Sequence, residues 1–256
     1  MHRFLASVSI LIFLALSFGC APTRLLTPDE EGNRVLARLT ERRDSIQTAL
    51  YRVRWRAIGT EPHAEFILEI AYQAPDEFRI VATGPFGLPA FTAVVLGDEF
   101  TFVNHHDGKF ITDDMANLIQ YDFPVAEFFE GPWRDLFAGG WGGSRLVNSL
   151  ERKGNSTEFR ASTADTAWKL RWNRGANAPG KVSATVNRDH GQIQADVWFE
   201  PADRKEPPFW KIDHLTLKGV KGEGEHSWTI LSQRYNEEIP ERFFVPLQPP
   251  PAWQHF

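Results

Sequence analysis

The chain has 256 residues, of which 28 are basic and 33 acidic, giving a formal charge of −5. An acidic balance without a basic stripe argues against a nucleic-acid partner. A single cysteine rules out a disulfide framework.

Residues 1–19 read as a signal peptide. Arg3 supplies a short positive region, and Phe4–Phe18 is an apolar run too short to span a bilayer comfortably. Gly19-Cys20 follows, and Ser17-Phe18-Gly19-Cys20 resembles a lipobox, departing from it at Ser17 where leucine is expected. The alternative is an ordinary signal followed by an unrelated cysteine. An acylated Cys20 would hold the chain firmly, because stable attachment takes more than one lipid chain. Ala21, rather than Asp, after Cys20 points by resemblance to the outer membrane. Cleavage removes one basic residue, Arg3, and leaves 27 basic against 33 acidic, a charge of −6. The remainder is one domain's worth of chain, long enough for a substantial core.

Residues 20–28 are expected to be the lipidated terminus and tether, residues 29–245 the folded domain, and residues 246–256 a proline-rich tail. Thr27-Pro28-Asp29-Glu30-Glu31 is a helix start, with Thr27 as cap and Pro28 at the first position. Val35, Leu36, Leu39, Ile46 and Leu50 fall on one helical stripe, with Arg38, Arg42 and Arg43 on the polar side. This predicts a helix packed against a sheet.

Strands follow. Val53, Trp55 and Ala57 alternate with Arg52, Arg54 and Arg56, and Phe66, Leu68, Ile70 and Tyr72 alternate with Glu65, Glu69 and Gln73. Phe78, Ile80 and Ala82 continue the pattern and run into Gly84-Pro85-Phe86-Gly87-Leu88-Pro89. That loop is bracketed by breakers yet carries Phe86 and Leu88, where surface loops ordinarily carry polar residues. Phe91–Leu96 and Glu99–Asn104 turn at Gly97-Asp98, and Asp107-Gly108 signals another hairpin. Residues 114–137 read as helical, with Val125, Phe128, Phe129, Trp133, Leu136 and Phe137 on one apolar face. Inward sets then recur at Phe159 and Ala161; Trp168, Leu170 and Trp172; Val182, Ala184 and Val186; Ile193, Ala195, Val197 and Phe199; Trp210 and Ile212; and Trp228 and Ile230. Closely spaced turns predict an antiparallel sandwich or barrel. The tail, with four prolines in Pro246–Phe256, is expected as an extended strap or a disordered end.

No catalytic constellation stands out. His105-His106-Asp107 is the one histidine cluster, but neighbours on a strand point to opposite faces, and the group precedes a turn. There is no G-x-S-x-G elbow or phosphate-cradling glycine loop, and Asp113-Asp114 fits a helix cap better than an acid pair. The expectation is therefore a non-enzyme without metal or cofactor. Twenty phenylalanines and nine tryptophans form a filled core or, in a sheet that curls without closing, the wall of an apolar cavity.

The order of elements resembles the LolA/LolB lipoprotein-localisation family, and LolB more than LolA. The likeness rests on the lipobox-like cysteine, the N-terminal helix, and three strands before Gly84-Pro85-Phe86-Gly87. It continues through Asp107-Gly108-Lys109-Phe110-Ile111-Thr112-Asp113-Asp114, the helical stretch and the Trp168/Trp172 strand. Phe86 stands where the family's loop carries leucine, and the segment around Pro201–Pro208 and the tail make this chain longer. The resemblance implies a mainly β, α+β fold: an incomplete antiparallel barrel with an N-terminal helix and a helical lid over an apolar cavity. It implies binding of lipoprotein acyl chains, or another lipid, and their insertion into the outer membrane. The cavity would be lined by Phe66, Leu68, Ile80, Phe91, Trp168, Phe128 and Phe129, with Phe86 and Leu88 as the transfer loop and Cys20 as the anchor. The expected product is a monomeric lipoprotein facing the periplasm and served by a LolA-like carrier. A structural envelope lipoprotein that uses the half-barrel as a scaffold is the alternative, and a lipid-modifying enzyme a third.

Overall fold

The structure, a computed structural model, describes residues 28–58, 65–115, 117, 137, 147–162, 166–173, 180–188, 191–201, 210–219, 225–248 and 254–255. Helix α1 spans Pro28–Ser45, and Pro28 sits at its first turn, where a missing N–H costs nothing. It ends before the expected stripe does. Ser45 Oγ donates to the Arg42 carbonyl at 2.8 Å, Asn236 Nδ2 donates to the Ser45 carbonyl at 2.8 Å, and Leu50 lies in a strand instead.

The strands are β1 (Thr48–Ile58), β2 (Glu65–Gln73), β3 (Glu77–Thr83), β4 (Pro89–Leu96), β5 (Glu99–Asn104), β6 (Lys109–Asp114), β7 (Val147–Lys153), β8 (Ser156–Ser162), β9 (Thr166–Asn173), β10 (Lys181–Arg188), β11 (Gly191–Pro201), β12 (Trp210–Gly219), β13 (Glu225–Tyr235) and β14 (Gln254–His255). They form one open sheet in the order β14-β6-β5-β4-β3-β2-β1-β13-β12-β11-β10-β9-β8-β7. Two meanders, β1–β6 and β7–β13, thus join at the antiparallel β1–β13 pair. Among the described strands β14 alone pairs in parallel, setting Gln254 and His255 beside Lys109 and Phe110 of β6. β7 had no counterpart in the alternation, because Val147-Asn148-Ser149-Leu150-Glu151 offers too few apolar residues.

The turns follow their residues. Gly97 and Gly108 adopt φ of 63°, a conformation that glycine reaches without steric cost. Bulges insert Ala90 in β4, Asp213 in β12 and Leu231 in β13, so alternation breaks at each. Strand β12 accordingly buries Trp210 and Ile212 before the bulge and Leu215 and Leu217 after it.

One face of the sheet carries the main core. Val53, Leu68, Ile80, Ala82, Phe159, Leu170, Ala195, Ile212 and Leu215 are all fully buried there. Each large aliphatic side chain so buried contributes about 1.5–3 kcal/mol. Arg42 of α1 and Ile46 just after it pack into the same face, as does Phe137. The Tyr51 hydroxyl donates to the Phe137 carbonyl at 2.6 Å, the two rings meet edge-on at 4.9 Å, and burial pushes the phenol well above its usual range. The remainder of the predicted lid, Phe128 and Phe129 included, lies outside the described residues.

Arg42 departs from expectation. It was placed on the polar side of α1 but is 1% exposed. The opposite face of the sheet has a smaller cluster, in which Ala71 packs against Ile239 and Phe244 where the C-terminal segment crosses. Arg79 donates there to the Phe243 carbonyl at 3.1 Å, and burial lowers its pKa.

Candidate functional site

The loop between β3 and β4 is built to project. Gly84 N donates to the Leu88 carbonyl at 2.9 Å and closes its base, while Pro85–Gly87 make a single 3-10 turn above. Phe86 takes φ 64° and ψ 15°, a left-handed conformation that costs a non-glycine residue about 1–2 kcal/mol. Gly87 follows at φ 74°. The outcome is a phenylalanine 99% exposed beside a Leu88 65% exposed. Of the two fates open to an apolar loop tip, tucking inward or facing out, this one faces out.

Under the loop an aromatic row leads to the inward face. A Cβ on Gly84 would lie 3.7 Å from the Phe66 ring. Phe66 stacks on Trp55 at 5.3 Å and meets Phe91 edge-on at 6.0 Å, and Phe91 continues to Phe102 at 5.7 Å. On the other side of Trp55, His226 stacks at 5.4 Å, and burial lowers its pKa from 6.5. Ile58, 47% exposed, ends β1 at the same rim. One end of β1–β4 therefore presents a desolvated aromatic row beneath a bare apolar tip.

The structure brings together four of the expected cavity residues. Phe66, Leu68, Ile80 and Phe91 share the inward face, Leu68 and Ile80 fully buried and Phe66 partly so. Trp168 falls on β9 opposite Ala184, but its side chain, like Phe128, Phe129 and Cys20, lies outside what the structure describes. Sequence reasoning missed Trp55 and His226 as rim residues. The signal for Trp55 was its place in the inward set of β1; His226 offered none, since its partner is set by the β1–β13 register.

The histidine cluster forms the surface turn that its position suggested. His105 Nε2 lies 2.9 Å from Thr92 Oγ1, while His106 has a side chain 91% exposed. Among the described residues no group of three His, Cys, Asp or Glu side chains could hold a metal ion. No described helix is long and apolar enough to cross a membrane.

No protein-family model matches the chain, and neither does any curated protein sequence. Solved structures do. A DUF1329 family protein from Desulfovibrio piger superposes with a TM-score of 0.58 at 9% identity, over 86% of this chain and 98% of that one. A LolA superfamily protein from Nitrosomonas europaea gives 0.56 at 11% identity, over 84% and 97%. The chain has a LolA-like fold. A putative outer membrane lipoprotein-sorting protein domain from Vibrio parahaemolyticus gives 0.55 at 11% identity, over 83% and 97%. Identities this low speak for the fold alone.

Proposed function

We propose that this protein is a LolB-like lipoprotein, anchored through Cys20 to the periplasmic face of the outer membrane. It takes the acyl chains of lipoproteins, or of another lipid, against the inward face of its sheet and releases them into the bilayer. The observation that carries this reading is Phe86, held fully exposed in a strained conformation next to an aromatic row that leads inward. Strain persists only where surrounding structure enforces it, and it collects at working sites.

The transfer makes and breaks no covalent bond. Burial of acyl chains is worth about 0.8 kcal/mol per CH₂, so a shared apolar face gives affinity without catalysis. Because Leu68 and Ile80 are already fully buried, a guest must displace whatever covers them. Uptake is thus an exchange of apolar contacts, which keeps net affinity low enough for release. The Phe86 ring, sunk into the outer region of a bilayer, would add about 1.5–3 kcal/mol, enough to orient the rim but not to anchor the chain. A LolA-like periplasmic carrier would supply the cargo.

The completeness of that burial favours one competing reading: a non-catalytic scaffold whose filled sheet binds envelope partners on its outside. Lipid extraction and mass spectrometry on a Cys20→Ala form separate the two. Co-purifying acyl lipid, displaced by a fluorescent fatty-acyl probe and then by acylated peptide, supports the carrier. A lipid-free protein that takes up no probe leaves the scaffold.

A further inference from the structure

The face of the sheet opposite the core carries, on β8–β11, a groove of about 500 Å³. Strand register builds it in cross-strand rows. Glu158, Arg171, Lys181 and Trp198 lie side by side in one row, and Arg160, Lys169, Ser183 and Asp196 in the next. Ala167 and Thr185 complete it, and their small side chains leave the room that the long cations surround.

Each row sets two cations directly opposite one another, an arrangement that destabilises a sheet unless an anion lies between them. For Arg160 and Lys169 the anion is part of the protein. Glu158, 1% exposed, takes Arg160 Nη2 at 2.8 Å on one oxygen and Lys169 Nζ at 3.2 Å on the other. For Arg171 and Lys181 the bridge is missing. Lys181 leans away, its Nζ 2.8 Å from Asp196 Oδ2 and 4.6 Å from the centre of the Trp198 ring. Arg171 is exposed and, among the described residues, its guanidinium has no carboxylate or carbonyl partner. Glu158 and Asp196 lie on the floor, the exposed Glu151 also pairs with Arg160 at 3.1 Å, and the four projecting cations outnumber these three carboxylates.

We propose that this groove binds a phosphoryl anion, which bridges Arg171 and Lys181 as Glu158 bridges Arg160 and Lys169. Guanidinium and ammonium groups suit phosphate oxygens, and the Ser183 and Thr185 hydroxyls supply neutral donors for an ester or polyol next to it. The site stands apart from the acyl-binding reading, since it uses the other face of the sheet and none of the rim residues. The phosphoryl group has two sources, a free phosphorylated metabolite or the headgroup of an anionic lipid.

Isothermal titration of the full-length protein in a neutral detergent decides the matter. The probes are inorganic phosphate, glycerol 3-phosphate, and the dihexanoyl forms of phosphatidylglycerol and phosphatidylcholine, which present headgroups as soluble molecules. Arg171→Gln, at an exposed position with no ion pair among the described residues, should leave the melting temperature unchanged and weaken phosphoryl binding roughly ten-fold, the scale of a lost charge-assisted contact. Lys181→Gln should weaken binding as much while lowering the melting temperature, because it strips the buried Asp196 of its cation, and Lys218→Gln, on β12 beyond the groove, should leave binding unchanged. Saturation by glycerol 3-phosphate identifies a free metabolite. Binding of the phosphatidylglycerol probe alone, sensitive to Arg171→Gln, identifies a headgroup. If no probe binds, or if Arg171→Gln changes nothing, the cations serve only Glu158 and Asp196 and the proposal is overturned.

Discussion

Arg42 Nε donates to the Trp210 carbonyl at 3.4 Å while the guanidinium lies 5.5 Å above the ring of the same residue. Its Nη2 reaches the Tyr235 hydroxyl at 3.3 Å, and among the described residues no carboxylate pairs with it. A buried cation held by neutral oxygens and π faces is an unusual fastening for a helix, since an ion pair would be the common choice.

Arg42 should therefore respond to shape more than to charge. Arg42→Ala removes two hydrogen bonds and leaves a cavity, at a cost of about 2–4 kcal/mol. Arg42→Met keeps the volume and is relieved of charge burial, so its loss should stay within about 1.5 kcal/mol. Urea unfolding of both variants tests this; equal losses would show that charge, not packing, fixes α1.

Phe86 should matter to membranes and not to folding. Phe86→Glu removes an apolar tip that touches nothing, so the melting temperature should hold while transfer of acyl cargo into vesicles fails. Phe86→Asn, better suited to positive φ, should be at least as stable as the wild type. A drop of several degrees with transfer intact in the folded fraction would place Phe86 in the core instead.

Much of this was legible because period two needs no partner. Val53, Trp55 and Ala57 against Arg52, Arg54 and Arg56 declared their faces, as did Leu68 with Ile70 and Phe78 with Ile80. Phe86 and Leu88 were legible as an anomaly, although whether they tucked in was not. Arg42 was misplaced because a helical stripe records which residues are apolar and cannot foresee a cation sheltered by Trp210 and Tyr235, 168 and 193 residues away. The groove cations carried no signal in the sequence, since the opposition of Arg171 to Lys181 exists only once β9 and β10 are in register. Leu231 and Asp213 were invisible for a related reason: a bulge answers to the neighbouring strand.

His226 should make stability fall in mild acid. Its folded pKa is lowered by burial, so the unfolded chain takes the proton first. The contribution is complete above the ordinary pKa of 6.5 and is lost as pH falls through the lowered folded value. His105, lowered by the same cause, acts with the same sign. Melting curves between pH 7.5 and 5 should be flatter for His226→Gln than for the wild type; parallel curves would mean that His226 titrates normally.

Asn236 ties three elements together. At φ 56° it ends β13, its Oδ1 accepts from Gln47 N at 2.9 Å, and its Nδ2 donates to the last carbonyl of α1. Asn236→Gly keeps the backbone conformation and loses the bonds, costing about 1–3 kcal/mol, and Asn236→Ala adds the strain of positive φ to that. Guanidinium denaturation should rank wild type above glycine above alanine. A glycine variant as stable as the wild type would mean that water replaces those bonds at no cost.

The seam between β1 and β13 has a consequence for how the chain comes to be folded at all. As the polypeptide emerges, β1 gains β2 almost at once, but its other edge stays open until β13 arrives at the far end of the sequence. Bringing the two together is the costly non-local closure that slows folding, and in the interval β1 offers a bare strand edge to any other chain. Arg52, Arg54 and Arg56 alternate along that waiting edge. In the finished protein Arg54 and Arg56 make exposed ion pairs with Glu65. In the half-made chain the three arginines are gatekeepers, whose mutual repulsion keeps one nascent copy from zipping onto another before its own last strand comes home.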